Sequence, residues 1–181
     1  MGRELDAGDA MRLLAAEAEA SPPGANGVIM LPYFSGERTP IHDPHAKGVI
    51  FGLNLTHTRG DIVRAALEGI AHGTRHVLET FDEAGVAVTN IYAVGGGTKN
   101  TVWSQSTSDI SGRAQTVCEK TIGASYGDAF LAALAVGDVG VDDIKTWNPT
   151  DREIHPYPHR AQLHERHYEV FRQLYMRNRD L

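Results

Sequence analysis

Residues 90–112 read NIYAVGGGTKNTVWSQSTSDISG. Asn90 to Val94 predicts a strand, Gly95, Gly96 and Gly97 end it, and Lys99 to Ser111 predicts the helix that follows. A strand passing through a glycine turn into a helix is an α/β building block. Downstream, Gln115 to Cys118 predicts a second short strand. Ala124 to Val136 (ASYGDAFLAALAV) predicts a helix whose small side chains suit close packing on a sheet. After a connection punctuated by Pro149, Pro156 and Pro158, the residues Leu163, His167, Phe171, Leu174 and Tyr175 line one face of a last helix.

Upstream of the glycines, Thr58-Arg59-Gly60-Asp61 has the form of a capping box with Asp in place of Glu. Ile62, Ala66, Ile70, Val77 and Phe81 then recur at helical spacing, which predicts a helix from about 60 to 83. Gly69 and Gly73 lie one turn apart on it, where they would admit another backbone at a propensity cost of about 1 kcal/mol each. Gly27 to Tyr33 (GVIMLPY) predicts a buried strand, and Phe34 to Thr58 a long loop rich in Gly, Pro, Asp and His, a kind of segment that is usually either functional or poorly ordered and here reads as functional. Residues 4–20, stopped by Ser21-Pro22-Pro23-Gly24, predict a first helix.

Bulk properties narrow the partners. A chain of 181 residues with 41% hydrophobic residues suffices for one globular domain with its own core, and is short for a two-domain enzyme. A net charge of −6 argues against nucleic acid or an anionic membrane, and no window approaches the roughly 18 apolar residues of a membrane-spanning helix. The one cysteine, Cys118, and an amino terminus without an apolar stretch predict a cytoplasmic location.

The chemistry concentrates at Gly95–Asn100. Glycine lets main chain approach a nucleotide, and the helix behind it offers free N–H groups and a positive dipole end. The same three glycines equally make a plain strand-to-helix turn. There is no Walker-type phosphate loop, and Asn100 stands where the third glycine of a dinucleotide fingerprint belongs. Glu119 stands near the position of that fingerprint's ribose-binding acid, so a Rossmann-type oxidoreductase stays as an alternative. His72 and His76 lie one helical turn apart without an evident third ligand, and His164 and His167 are close on the last helix; no metal site is assigned. Glu37 and Arg38 read as an ion pair shaping the loop or as ordinary loop charges. Trp103 reads as packing, and Asp109 as a local cap or pair.

Gly48-Val49-Ile50-Phe51-Gly52-Leu53, followed after seven residues by Asp61-Ile62-Val63-Arg64-Ala65-Ala66-Leu67-Glu68, resembles the second signature of the FGGY carbohydrate kinases. Ser35-Gly36-Glu37-Arg38-Thr39-Pro40 with Asp43-Pro44, Ala46 and Gly48 resembles that family's Gly-Glu-Arg loop. Gly95 to Asn100 with Trp103, Gln105 and Asp109-Ile110-Ser111-Gly112 resembles its glycine stretch. The likeness runs from about residue 27 to 137 and is nearest to the xylulokinase type, with residues 1–26 as a helical lead-in and 138–181 as a carboxy-terminal connection and helix.

What the resemblance implies is the carboxy-terminal, ATP-binding lobe of an actin-like ATPase of ribonuclease-H-like fold, with a mixed sheet flanked by helices and lacking its first strands. ATP and Mg²⁺ are the implied cofactors, and the implied reaction is phosphoryl transfer to a sugar hydroxyl, xylulose or a related pentose or polyol. Gly96, Gly97 and Thr98 would approach the nucleotide, and Asn100 its base or ribose. The family's first phosphate motif, sugar-binding residues and catalytic aspartate belong upstream of Gly27. Residues 1–26 show none of them, so no catalytic residue is assigned and the sugar is expected to bind through an amino-terminal lobe. An exposed sheet edge leaves room for a homodimer. A non-catalytic nucleotide-binding or assembly protein derived from such a kinase is the competing class.

Overall fold

The structure, a computed structural model, describes residues 6–181. Helix α1 (Ala7–Ala20) is capped by Asp6, whose carboxylate accepts the Asp9 N–H at 2.7 Å, and it ends where Ser21 turns extended ahead of the prolines. Only Ala18 on it is fully buried, as suits a helix of alanines and acids lying on the surface. The start of the predicted helix, before residue 6, lies outside the described residues.

Strand β1 (Ile29–Leu31) is buried at every position and pairs antiparallel with β2 (Val49–Phe51). The expected loop over 34–58 therefore contains a strand. Three residues flanked by Gly48 and Gly52 are too short to announce a period of two, and only pairing with β1 makes them a strand. Gly52, at φ +83°, turns a corner where a Cβ would stand 2.6 Å from the Gly27 carbonyl.

Helix α2 (Arg59–Glu83) forms as its sequence dictates. Thr58 caps it and Asp61 returns the bond, completing the capping box with Asp. Its approach to β1 is close: a Cβ on Gly69 would stand 2.3 Å from the Met30 carbonyl, so β1 lies directly against the helix there. Gly73 has open space instead, contrary to the expectation of a second close approach.

A three-stranded sheet runs in the order β3 (Tyr92–Ala93), β4 (Gln115–Cys118), β5 (Thr150–Ile154). β3 and β4 are parallel, joined by α3 (Thr101–Ser111), and β5 is antiparallel to β4. The helix starts at Thr101 rather than Lys99 because Gly96–Lys99 forms a separate tight turn first. β5 falls in what the prolines suggested was connection; Pro149 and Pro156 flank the strand without interrupting it.

Helices α4 (Ala124–Val136), α5 (Ile144–Trp147) and α6 (Ala161–Asn178) complete the chain. α6 buries His164, Tyr168, Phe171 and Leu174. Phe171, Leu174 and Tyr168 meet Ile29, Leu31, Tyr33 and Ala46 in the main core, with Tyr33 and Phe171 edge to face at 6.1 Å. α2 and α3 pack along one another, so the helix behind the glycines rests on the molecule's longest helix.

Candidate functional site

The glycine turn sits where β3 ends. Gly95 adopts φ 87° and ψ −176°, a conformation that residues with a Cβ avoid. Its N–H donates to the Thr121 carbonyl at 2.7 Å, tying the turn to the segment after β4. Its carbonyl accepts both the Thr98 N–H at 3.3 Å and the Thr98 hydroxyl at 2.8 Å, which closes the turn. The Asn100 N–H donates to the Gly97 carbonyl at 3.0 Å, and the Asn100 side-chain oxygen caps α3 by accepting the Trp103 N–H at 3.0 Å.

The four residues singled out in the sequence thus share one turn but stand differently in it. Gly96 is exposed, and a Cβ on it would meet nothing within 4 Å. Gly97 backs onto the Trp103 ring, 2.8 Å from where its Cβ would be. Thr98 is 6% exposed with its hydroxyl engaged by Gly95, and Asn100 has its oxygen engaged by α3. Gly96 is thus the exposed glycine of the turn, with nothing packed over it.

Polar contacts fix the helix behind the turn. Asp109 on α3 is buried and accepts from Gln105 Nε2 at 2.9 Å, from the Tyr157 N–H at 2.8 Å and from Arg160 Nη1 at 2.8 Å. The Ser108 hydroxyl donates to the Ile154 carbonyl, and Gln115 Nε2 donates to the Ser104 carbonyl and the Ser108 hydroxyl, each at 2.8 Å. Asp109 was expected to pair locally. It also reaches a residue 51 positions away, a partner that no local pattern could have named. Arg152 on β5 was missed for the same reason: its Nη2 donates to the Thr98 carbonyl at 3.1 Å.

The polar residues of the signature do other work. Asp61 accepts from the Ser21 hydroxyl at 2.6 Å, Asn26 Nδ2 at 2.9 Å and the Thr58 N–H at 2.7 Å. These donors, the Ser21 hydroxyl foremost, hold its carboxyl down to about 2. Arg64 and Glu68 form a 2.8 Å ion pair with side chains only 8% and 3% exposed. Arg64 also donates to the Ala18 and Ser21 carbonyls, and Glu68 accepts the Gly24 N–H. Burial pushes the Glu68 carboxyl up, against the pull of that N–H and of Arg64. Together they lash α1 and the turn after it onto α2.

His72 stacks on Tyr168 at 5.8 Å, and burial pushes it well below the ordinary imidazole value. His164 is 1% exposed and is pushed down to about 4 by burial. His72 Nδ1 and both ring nitrogens of His164 have no hydrogen-bond partner among the described residues. Glu37 makes no ion pair with Arg38 there; its carboxylate accepts the N–H groups of Arg38 and Thr39 at 2.8 and 3.0 Å and so shapes the loop from within. Among the described residues, no group of three or more His, Cys, Asp or Glu side chains could hold a metal ion.

Residues 2–136 match the model of the FGGY family of carbohydrate kinases, C-terminal domain. A xylulose kinase of Bacillus subtilis is 32% identical over 165 residues, covering 90% of this chain and 33% of its own. A glycerol kinase of Citrifermentans bemidjiense is 34% identical over 149 residues, covering 82% and 30%. The crystal structure of xylulose kinase from Rhodospirillum rubrum superposes with a TM-score of 0.81 at 37% identity, over 94% of this chain and 35% of that one. The chain spans about a third of the length of the curated relatives it matches. The fold these neighbours share is that of the actin-like ATPases, a small mixed sheet flanked by helices. The Rossmann alternative is corrected accordingly: Asn100 caps α3 where a dinucleotide fold needs its third glycine, and Glu119 is exposed, its N–H donating to the Pro149 carbonyl. Signature, superposition and family match agree: the chain belongs to the FGGY family of carbohydrate kinases, and falls within the carboxy-terminal domain of that family.

Proposed function

We propose that this chain is the nucleotide-binding part of an ATP-dependent kinase that phosphorylates a hydroxyl of xylulose or a related pentose or polyol. The observation that carries the reading is the open main chain at Gly96, in a turn closed by hydrogen bonds to the Gly95 and Gly97 carbonyls at the end of a parallel strand. In that reading Gly96 and Gly97 meet the nucleotide through main chain, Thr98 shapes the turn with its hydroxyl, and Asn100 offers its amide nitrogen while its oxygen caps α3.

Phosphoryl transfer of this type rests on positioning and electrostatic stabilisation. The chain's contribution is a rigid cradle fastened to α2 through α3. Mg²⁺ is the companion the family implies. In this reading it would be carried on the nucleotide phosphates, whose charge it would offset, and no residue here is assigned to it. Sugar binding and the catalytic base belong, on the same reading, to the part of the relatives' length that this chain does not span. Exposed apolar side chains on β3 and α4, Tyr92, Leu131 and Val136 among them, are candidates for burial in a homodimer.

The deciding experiment is calorimetric titration of the chain with Mg-ADP, alone and with NAD as competitor. Saturable ADP binding that Gly96→Ala weakens without changing the melting temperature supports the reading. Folded protein that ignores ADP, or that prefers NAD, rejects it.

A further inference from the structure

The carbonyl end of the glycine turn needs a partner that the turn cannot supply. A single helical turn leaves its last carbonyls without intrahelical donors, and the helix that follows begins afresh from its own cap at Asn100. The Thr98 carbonyl is met by a charged donor from another strand, Arg152 Nη2 at 3.1 Å.

The sheet register explains how. Ala93, Val117 and Arg152 stand opposite one another on β3, β4 and β5, a single row across the sheet. Side chains in such a row share a face. Arg152 therefore sets out on the face it shares with Ala93, the last residue of β3 before the turn, and its stem is long enough to cross β4. Asp151, paired with the guanidinium at 2.6 Å, restrains its other side. A sheet irregularity between Val117 and Cys118 lies beside this crossing. Both arginine and aspartate lie outside the residues that match the family model.

We propose that Arg152 is a positioning residue for the nucleotide turn: it holds the Thr98 carbonyl and so fixes the conformation in which Gly96 lies open. This rests on the nucleotide reading of the turn, and the test separates the two.

Arg152→Met keeps the stem and removes the donor; Arg152→Lys keeps the charge and one donor. Two readouts apply, Mg-ADP affinity by calorimetry and hydrogen exchange at the Thr98 and Asn100 amides of the nucleotide-free chain. The expected result is roughly tenfold weaker ADP binding for Arg152→Met, the size of one charge-assisted bond, with partial recovery in Arg152→Lys. Faster exchange confined to the turn and an unchanged melting temperature are expected alongside. Unaltered exchange at the turn overturns the proposal whether or not the wild type binds ADP. Faster exchange spread over the whole sheet with a matching fall in melting temperature also overturns it, since Arg152 would then merely stabilise β5. A wild type that does not bind ADP rejects the nucleotide reading, and the exchange data still decide whether Arg152 fixes the turn.

Discussion

At the residue scale, the two adjacent glycines of the turn have different jobs, and substitution separates them. A methyl at Gly97 would be forced against the Trp103 ring, so Gly97→Ala should lose about 1–3 kcal/mol of stability in urea unfolding. Gly96→Ala meets nothing and should unfold like the wild type. Loss of nucleotide binding in Gly97→Ala would therefore be ambiguous, whereas in Gly96→Ala it reports on the site. The buried pair on α2 gives a second test. Removing one partner strands a charge, so Glu68→Ala should cost about 3–5 kcal/mol, while Arg64→Met with Glu68→Leu should cost much less than the sum of the single changes. Additive losses in a double-mutant cycle would show that the pair is not coupled.

At the element scale, the close approach of α2 to β1 turns on Gly69. Gly69→Ala should destabilise by about 1–3 kcal/mol, because the added methyl meets a β1 carbonyl that cannot turn aside without breaking the strand. Gly73→Ala, one turn on, should be neutral or stabilise by up to about 1 kcal/mol through helix propensity alone. Equal effects of the two changes, read by thermal unfolding, would contradict this packing of α2 on β1. α4 is the opposite case. It is apolar on every side yet fully buries only Phe130, so its sequence predicts a helix without saying which face meets a neighbour.

At the scale of the whole molecule, the junction of α2 with α6 makes stability depend on pH. His72 and His164 are held neutral below the ordinary imidazole value, so between about pH 6.5 and about pH 4 the unfolded chain binds protons that the folded chain refuses. Stability present above pH 6.5 is lost as pH falls through that window. Asp109, His167, Arg64, Arg160 and Arg75 act on the two rings, and among these only Asp109 favours the charged form of His164. The melting temperature should fall by at least roughly 2–4 °C between pH 7 and pH 5, and His164→Gln should flatten that slope. A slope that His164→Gln leaves unchanged would place the titrating groups elsewhere. Asp61, with its carboxyl held near 2, adds a further loss only below about pH 4.

Elements with local causes are legible in the chain: α2 with its capping box, β4, α4 and the strand-turn-helix unit at the glycines follow from residues within a few positions of each other, and the family from three motifs spread over residues 35–112. The rest depends on packing between distant segments. β2 and β5 exist because β1 and β4 offer them partners. Gly69 is pressed against β1 and Gly73 is not, although their spacing gives both the same face. Asp109 finds Arg160, and Arg152 finds the turn, across about fifty residues that carry no period linking them. Local conformational preference is written in neighbouring residues, whereas the partner of a charge or a strand edge is set by which distant segments the packed core brings within hydrogen-bond reach.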